Sequence, residues 1–317
     1  MDSSICDTQI QTPLATAIHL LVTLFVAASY TPQLVKIRAS NAGDAGISGW
    51  YIILLTTSAT THFATRIKNL YSSFAWACFW DGELSGFNLF SALVIYLQAF
   101  IHWAAAIILL VVYISFRTPT RALATDTKNS PIVSSASSPS NTTILAIVLT
   151  HAVIVLPLAI YFLDLLTREG GYDDVNVIVD SFVVGLSFRF TGLLTSLTPA
   201  IPQIFTMVTR YRANGNTFDR GSLSLLGLGL QAVAFLALGA SQGWRMRPLP
   251  PDPDTKPGAD YIVIWSLDWW GWLFVVAGLA AGWMALALSQ LLVLCVAMGL
   301  GKRGSRLSTF DAAKKVL

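Results

Sequence analysis

Tyr30-Thr31-Pro32-Gln33-Leu34 closes one long apolar run, and Ala200-Ile201-Pro202-Gln203-Ile204 closes another. A basic stretch with glycine follows each of them, Lys36 to Gly43 and Arg210 to Gly215. A single Pro-Gln pair carries no information. Two pairs, 170 residues apart in a chain of 317 and at the ends of comparable apolar runs, point to a duplicated unit.

The composition says what kind of unit. Hydrophobic residues make up 54% and charged residues 12%, against about 25% charged in soluble domains. Mean hydropathy is +0.62. A chain this apolar cannot cover a water-facing surface, so its solvent is the lipid bilayer. No basic-aromatic module calls for nucleic acid. The three cysteines are too few for a disulfide scaffold, and no Cys/His cluster has metal-ligand spacing. Cys295 reads as a buried apolar residue; whether Cys6 and Cys78 are bonded stays open. No cofactor and no enzyme are expected: HExxH, GxSxG and P-loop patterns are absent. A Schiff-base retinal protein is excluded, since no lysine lies between Lys256 and Lys302.

A bilayer-crossing helix needs about 20 apolar residues. Seven runs meet this, near Leu14–Lys36, Ser48–Ile67, Phe87–Phe116, Thr143–Leu166, Val177–Val208, Gly221–Gly243 and Trp269–Leu300. The first reads as a true span, because no basic residue precedes it as in a signal peptide. With the N-terminus outside, the inner segments hold thirteen basic and four acidic residues, and the outer ones six and thirteen. Arg66 counts among the outer six. The positive-inside rule therefore favours an outer N-terminus and a cytosolic C-terminus. Asn141-Thr142-Thr143 fits a glycosylation acceptor but falls on the inner side.

The repeat extends past the Pro-Gln pairs. Arg38-Ala39-Ser40-Asn41 aligns with Arg212-Ala213-Asn214-Gly215, and Gly46-Ile47-Ser48 with the stretch from Gly221 to Ser224. Spans one to three and five to seven form two triplets, and the fourth span lets both share one orientation. The expected fold is an all-α membrane protein with seven transmembrane helices, two parallel three-helix bundles joined by a linker helix (3+1+3). Its parts are a first bundle at 1–116, a polar linker and connector helix at 117–176, a second bundle at 177–300 and a cytosolic basic tail at 301–317.

Two Pro-Gln pairs in this layout resemble the PQ-loop family, which includes lysosomal and vacuolar amino-acid exporters of the cystinosin type and SWEET sugar transporters. The architecture resembles that family along the whole chain, the motif over about twenty residues in each half. The resemblance implies a membrane transporter moving a small polar solute, an amino acid or sugar, by alternating access between the triplets. It implies an endomembrane location, vacuole/lysosome or ER-Golgi. The proton-coupling acids of cystinosin-like members have no counterpart in the matching stretches here.

Proline removes a backbone donor and crowds the preceding turn. Pro32, Pro199 and Pro202 are therefore hinge or gating candidates, with Pro199 making the fifth span the more broken. Gln33 and Gln203 offer amides to the loosened backbone. A static kink is the competing reading. Polar residues inside spans are costly and usually functional. The substrate-binding candidates are His19, His62, Gln98, His102, Arg189 and Gln231; interhelical hydrogen bonding is the plainer alternative for each. Asp164 and Asp180 are candidate partners of Arg189. Trp76, Trp80, Trp265, Trp269, Trp270 and Trp272 read as an interfacial belt. The terminal Lys314-Lys315-Val316-Leu317 resembles a dilysine retrieval signal, which implies coat-protein recognition. It favours a second function, a sorting or cargo receptor or signalling scaffold of the secretory pathway on the same fold.

Overall fold

The computed structural model describes residues 11–39, 46–70, 84, 86–117, 139–167, 187, 189–215, 217, 223–245 and 278–316. They are helical almost throughout, with no strand among the described residues. The long helices are α1 (Pro13–Ala39), α2 (Gly49–Leu70), α3 (Gly86–Phe116), α4 (Asn141–Thr167), α5 (Ala200–Ala213), α6 (Leu225–Arg245) and α7 (Gly278–Val316). Small polar residues stand at several starts. Ser140 Oγ accepts from Thr143 N at 3.0 Å and Ser224 Oγ from Gly227 N at 3.1 Å, each satisfying an orphan donor of the first turn.

Five of these helices, α1, α3, α4, α6 and α7, are long and apolar enough to cross a membrane. The other two fall short for different reasons. α5 has 14 residues. α2 is long enough but reads Thr56-Thr57-Ser58-Ala59-Thr60-Thr61-His62 through its middle. Its hydroxyls are satisfied within the helix: Thr60, Thr61 and Thr65 each donate to the carbonyl four residues back, at 2.9, 3.0 and 2.8 Å. It packs on α3, α4 and α5, and Thr56, Ser58, Thr60 and Thr61 are buried. The helix with a hydroxyl-rich middle is thus an enclosed one.

α1 packs on α3 and α6, and α7 packs on α6 and α5. The core between them is built on Tyr30, Tyr113, Phe235, Leu238 and Trp283. One end of the molecule collects several helix ends. Gly49 opens α2 beside Pro139, which precedes α4, and beside Tyr113 of α3. Arg117 Nη1 donates to the Pro139 carbonyl. We call this the Pro-Gln end, because Gln33 and Gln203 also meet it.

Two expectations are corrected. Cys295 is exposed, not buried. It shares a stripe of α7 with exposed Leu288, Leu291, Leu292 and Met298, a face fit for lipid. Arg66 is not an outer-loop charge: it lies within α2 and is 3% exposed. Residues 301–316, expected as a tail, continue α7 as helix. Cys6, Cys78, the six belt tryptophans and Asp180 lie outside the described residues, as do the side chains of Asp164, Lys314 and Lys315.

Candidate functional site

The Pro-Gln motifs differ in backbone and agree in side-chain use. α1 passes through Pro32 unbroken. The second copy is broken: residues 189–197 are helical, Thr198 and Pro199 form a turn, and α5 begins at Ala200. The carbonyls that Pro199 and Pro202 leave unbonded find substitutes. Thr198 O, four residues before Pro202, accepts from Ile201 N at 3.1 Å. Thr195 O, four residues before Pro199, accepts from Thr198 Oγ1 at 3.3 Å.

The glutamines reach across the molecule. Gln33 Oε1 accepts from Ser224 N, the start of α6, at 2.9 Å. Gln203 Oε1 accepts from Ser48 N, the start of α2, at 2.8 Å, and Gln203 Nε2 donates to Gly46 O at 2.7 Å. Gly46 has φ 121°, a conformation only glycine adopts without strain. Each motif glutamine therefore caps the second helix of the other half. The amides, expected to serve their own loosened helices, bond distant helix starts: Gln203 with both its oxygen and its nitrogen, Gln33 with its oxygen.

Deeper in the bundle, five rings from five helices meet. Trp283 of α7 stacks on His62 of α2 with centroids 4.7 Å apart and planes at 14°. His102 of α3 meets Trp283 edge-on at 4.9 Å and Phe235 of α6 at 5.1 Å. Tyr30 of α1 lies 3.1 Å by its hydroxyl from His102 Nδ1. His62 Nε2 sits 2.9 Å from Ser196 Oγ, which donates to Gly192 O at 2.6 Å and lies 2.9 Å from Ser58 Oγ. With its proton given to Gly192, Ser196 accepts from both, which makes His62 the Nε2–H tautomer. Arg66 of α2 donates to Gln242 Oε1 of α6, and Trp283 Nε1 donates to the same oxygen at 3.1 Å. Tyr51 Oη donates to Gln290 Oε1 of α7 at 2.8 Å.

The structure brings His62 and His102 together through Trp283. His19 and Gln98 form a separate pair, Gln98 Nε2 donating to His19 O at 3.0 Å; Gln98 lies one turn before His102 on the same face of α3. Gln231 is buried one turn before Phe235 on α6. Arg189 is half-buried on 189–197 and is not part of the aromatic cluster. No group of three or more His, Cys, Asp or Glu fit to hold a metal occurs among the described residues. Tyr30, Arg66, Ser196, Phe235, Gln242 and Trp283 are residues that sequence reasoning missed. One signal was available: Ser48 and Ser224 are 176 apart, and so are Arg66 and Gln242.

Several buried polar atoms of this region have no partner: Gln98 Oε1, His102 Nε2, Gln231 Nε2, Gln242 Nε2 and Gln290 Nε2. An orphaned buried group costs about 1–3 kcal/mol. Tyr30→Phe would leave His102 without a partner at Nδ1 as well. It is expected to lower stability by about 1–3 kcal/mol, measured as a fall in melting temperature; unchanged stability would mean that the Tyr30 contact contributes nothing. No protein-family model, curated protein or solved structure matches the chain.

Proposed function

We propose that this chain is a PQ-loop-type membrane transporter for a small polar solute, built of two parallel three-helix units joined by α4. The observation that carries the proposal is the buried cluster of His62, His102, Tyr30, Phe235 and Trp283, with unpartnered hydrogen-bonding atoms around it. Polar groups held unpaired inside a membrane bundle are costly, and a solute that pairs them recovers that cost.

The packing supports the two-unit arrangement. Exchanging α1, α2 and α3 with α5, α6 and α7 maps the α1·α6 contact onto α5·α2, and the α1·α3 and α2·α3 contacts onto α5·α7 and α6·α7. The crossed glutamine caps obey the same exchange. They tie the units at the Pro-Gln end, and Arg66–Gln242 ties them deeper in the bundle. Alternating access then consists of releasing one set of ties while keeping the other, with the break at Thr198-Pro199 as the pivot of the second unit.

The purified chain in sealed vesicles tests the function. Counterflow of a labelled solute from an amino-acid and sugar panel is expected, and His62→Ala should abolish it. No flux across the panel would sink the proposal. We assign the Pro-Gln end to the cytosol, since Lys36, Arg38, Arg117, Arg210 and Arg212 stand near it. The location is the endomembrane system, with the N-terminus lumenal. Asn141 caps no lumenal surface in this orientation, although it is exposed. It is expected to carry no glycan: glycosidase should leave the protein's gel mobility unchanged, and a shift lost in Asn141→Gln would invert the orientation.

A further inference from the structure

We infer that Arg66, Trp283 and Gln242 form a carboxylate subsite in the solute path, occupied in this structure by the oxygen of Gln242's own side chain. The inference rests on the transporter reading and names the ligand chemistry of its site. Two N–H donors from different helices, the Arg66 guanidinium of α2 and the Trp283 indole of α7, converge on Gln242 Oε1 of α6. All three side chains are at least 97% buried, with 3%, 1% and 1% of their surface exposed. A guanidinium and an indole aimed at one oxygen make a receptor for a carboxylate oxygen. A charged acceptor makes roughly twice as strong a hydrogen bond as a neutral amide.

Gln242 is an imperfect occupant. Its Oε1 takes both donors, while its Nε2 is buried with no partner. A bound carboxylate would correct both faults. One oxygen would replace Oε1 before Arg66 and Trp283, and the other would accept from the freed amide. The neighbourhood suits the rest of a small organic acid. Trp283 is part of the ring cluster with His62, His102 and Phe235. His102 Nε2 in that cluster is another buried atom without a partner.

The position also connects occupancy to movement. Arg66 and Gln242 are repeat mates at the Ser48–Ser224 offset of 176 and belong to opposite halves of the chain. Their direct bond ties the halves together. A carboxylate inserted between them replaces that tie with one made through the ligand.

Matched acids and amides test the subsite, because each pair differs only in the carboxylate. The full-length protein would be titrated with L-alanine against L-alaninamide and with propionate against propionamide. Melting temperature and counterflow inhibition are the readouts. The acid of at least one pair is expected to bind tenfold or more tightly than its amide. The alanine pair alone would identify an amino acid, and both pairs a simple carboxylate. Trp283→Phe keeps the ring and removes the N–H; it should weaken the acid and leave the amide unchanged. Gln242→Glu places a permanent carboxylate before Arg66 and Trp283 and should abolish the acid's advantage over its amide. Substitution of Arg66 endangers the fold, so these two variants carry the test. Equal binding of acid and amide, or acid binding unmoved by either variant, overturns the subsite. Acid binding without flux of any panel solute keeps the subsite and overturns transport. Flux of neutral solutes with no acid preference does the reverse.

Discussion

Gly282→Ala is expected to disable the protein, with a stability loss of about 1–3 kcal/mol from overpacking and loss of solute flux. A Cβ on Gly282 would stand 2.2 Å from His62 Cε1 and 3.1 Å from Nε2. The imidazole has no direction in which to yield. It is stacked on Trp283 at 4.7 Å and tied to Ser196 at 2.9 Å. Trp283 is itself held by Gln242. Accommodating one methyl means taking His62 out of its stack, which dismantles the cluster. Gly299→Ala is the control: a Cβ there meets nothing within 4 Å, and alanine is the better helix former by about 1 kcal/mol. Combining Gly282→Ala with His62→Ala should recover most of the lost melting temperature but not flux. A Gly282→Ala protein with unchanged stability and flux would refute the close approach of α7 to His62.

Gln203→Leu carries the next largest effect. It orphans Ser48 N–H and Gly46 C=O, at a cost of about 1–3 kcal/mol for each buried group. Gln33→Leu orphans Ser224 N–H, and a loss of at least about 1–3 kcal/mol is expected. Gln203→Glu separates the two bonds: a carboxylate still accepts from Ser48 N–H but cannot donate to Gly46 O. Its melting temperature should fall between wild type and Gln203→Leu. All three variants free the Pro-Gln end and are expected to change flux as well as stability. A Gln203→Leu protein as stable as wild type would show that water replaces the cap and that the units are not tied there.

The helices were legible because apolar length and start signals act locally. Expected starts at Leu14, Ser48, Phe87 and Thr143 fall within two residues of Pro13, Gly49, Gly86 and Asn141. The fifth was less legible, because two prolines within four residues interrupt its run at Thr198-Pro199. Burial within a helix was poorly legible. In a bundle facing lipid, inward and outward faces are both apolar, so the water-side contrast that reveals a core is lost. Cys295 was misread for that reason. Arg66 was misread because a charge near the end of an apolar run looks like a loop residue.

The candidate site divides along the same line. His62 and His102 stood out as imidazoles inside apolar runs, which any sequence displays. That they share Trp283, and that His62 finds Ser196 134 residues away, depends on how helices register against one another. Tyr30 was in view from the start as part of the first motif, yet nothing in it announced a bond to His102.

By itself the sequence determined an apolar, largely helical chain, the positions of most described helices and two Pro-Gln pairs at comparable places in two apolar runs. These follow from local quantities: apolar length, backbone donors removed by proline, and similarity at a fixed offset. Only the tertiary structure decided where the polar groups go. Gln33 caps α6, Gln203 caps α2, α2 hides its threonines, and Arg66 meets Gln242 of α6. The physical reason is that a buried polar group must find a partner, and the chain fixes its identity only when distant helices pack.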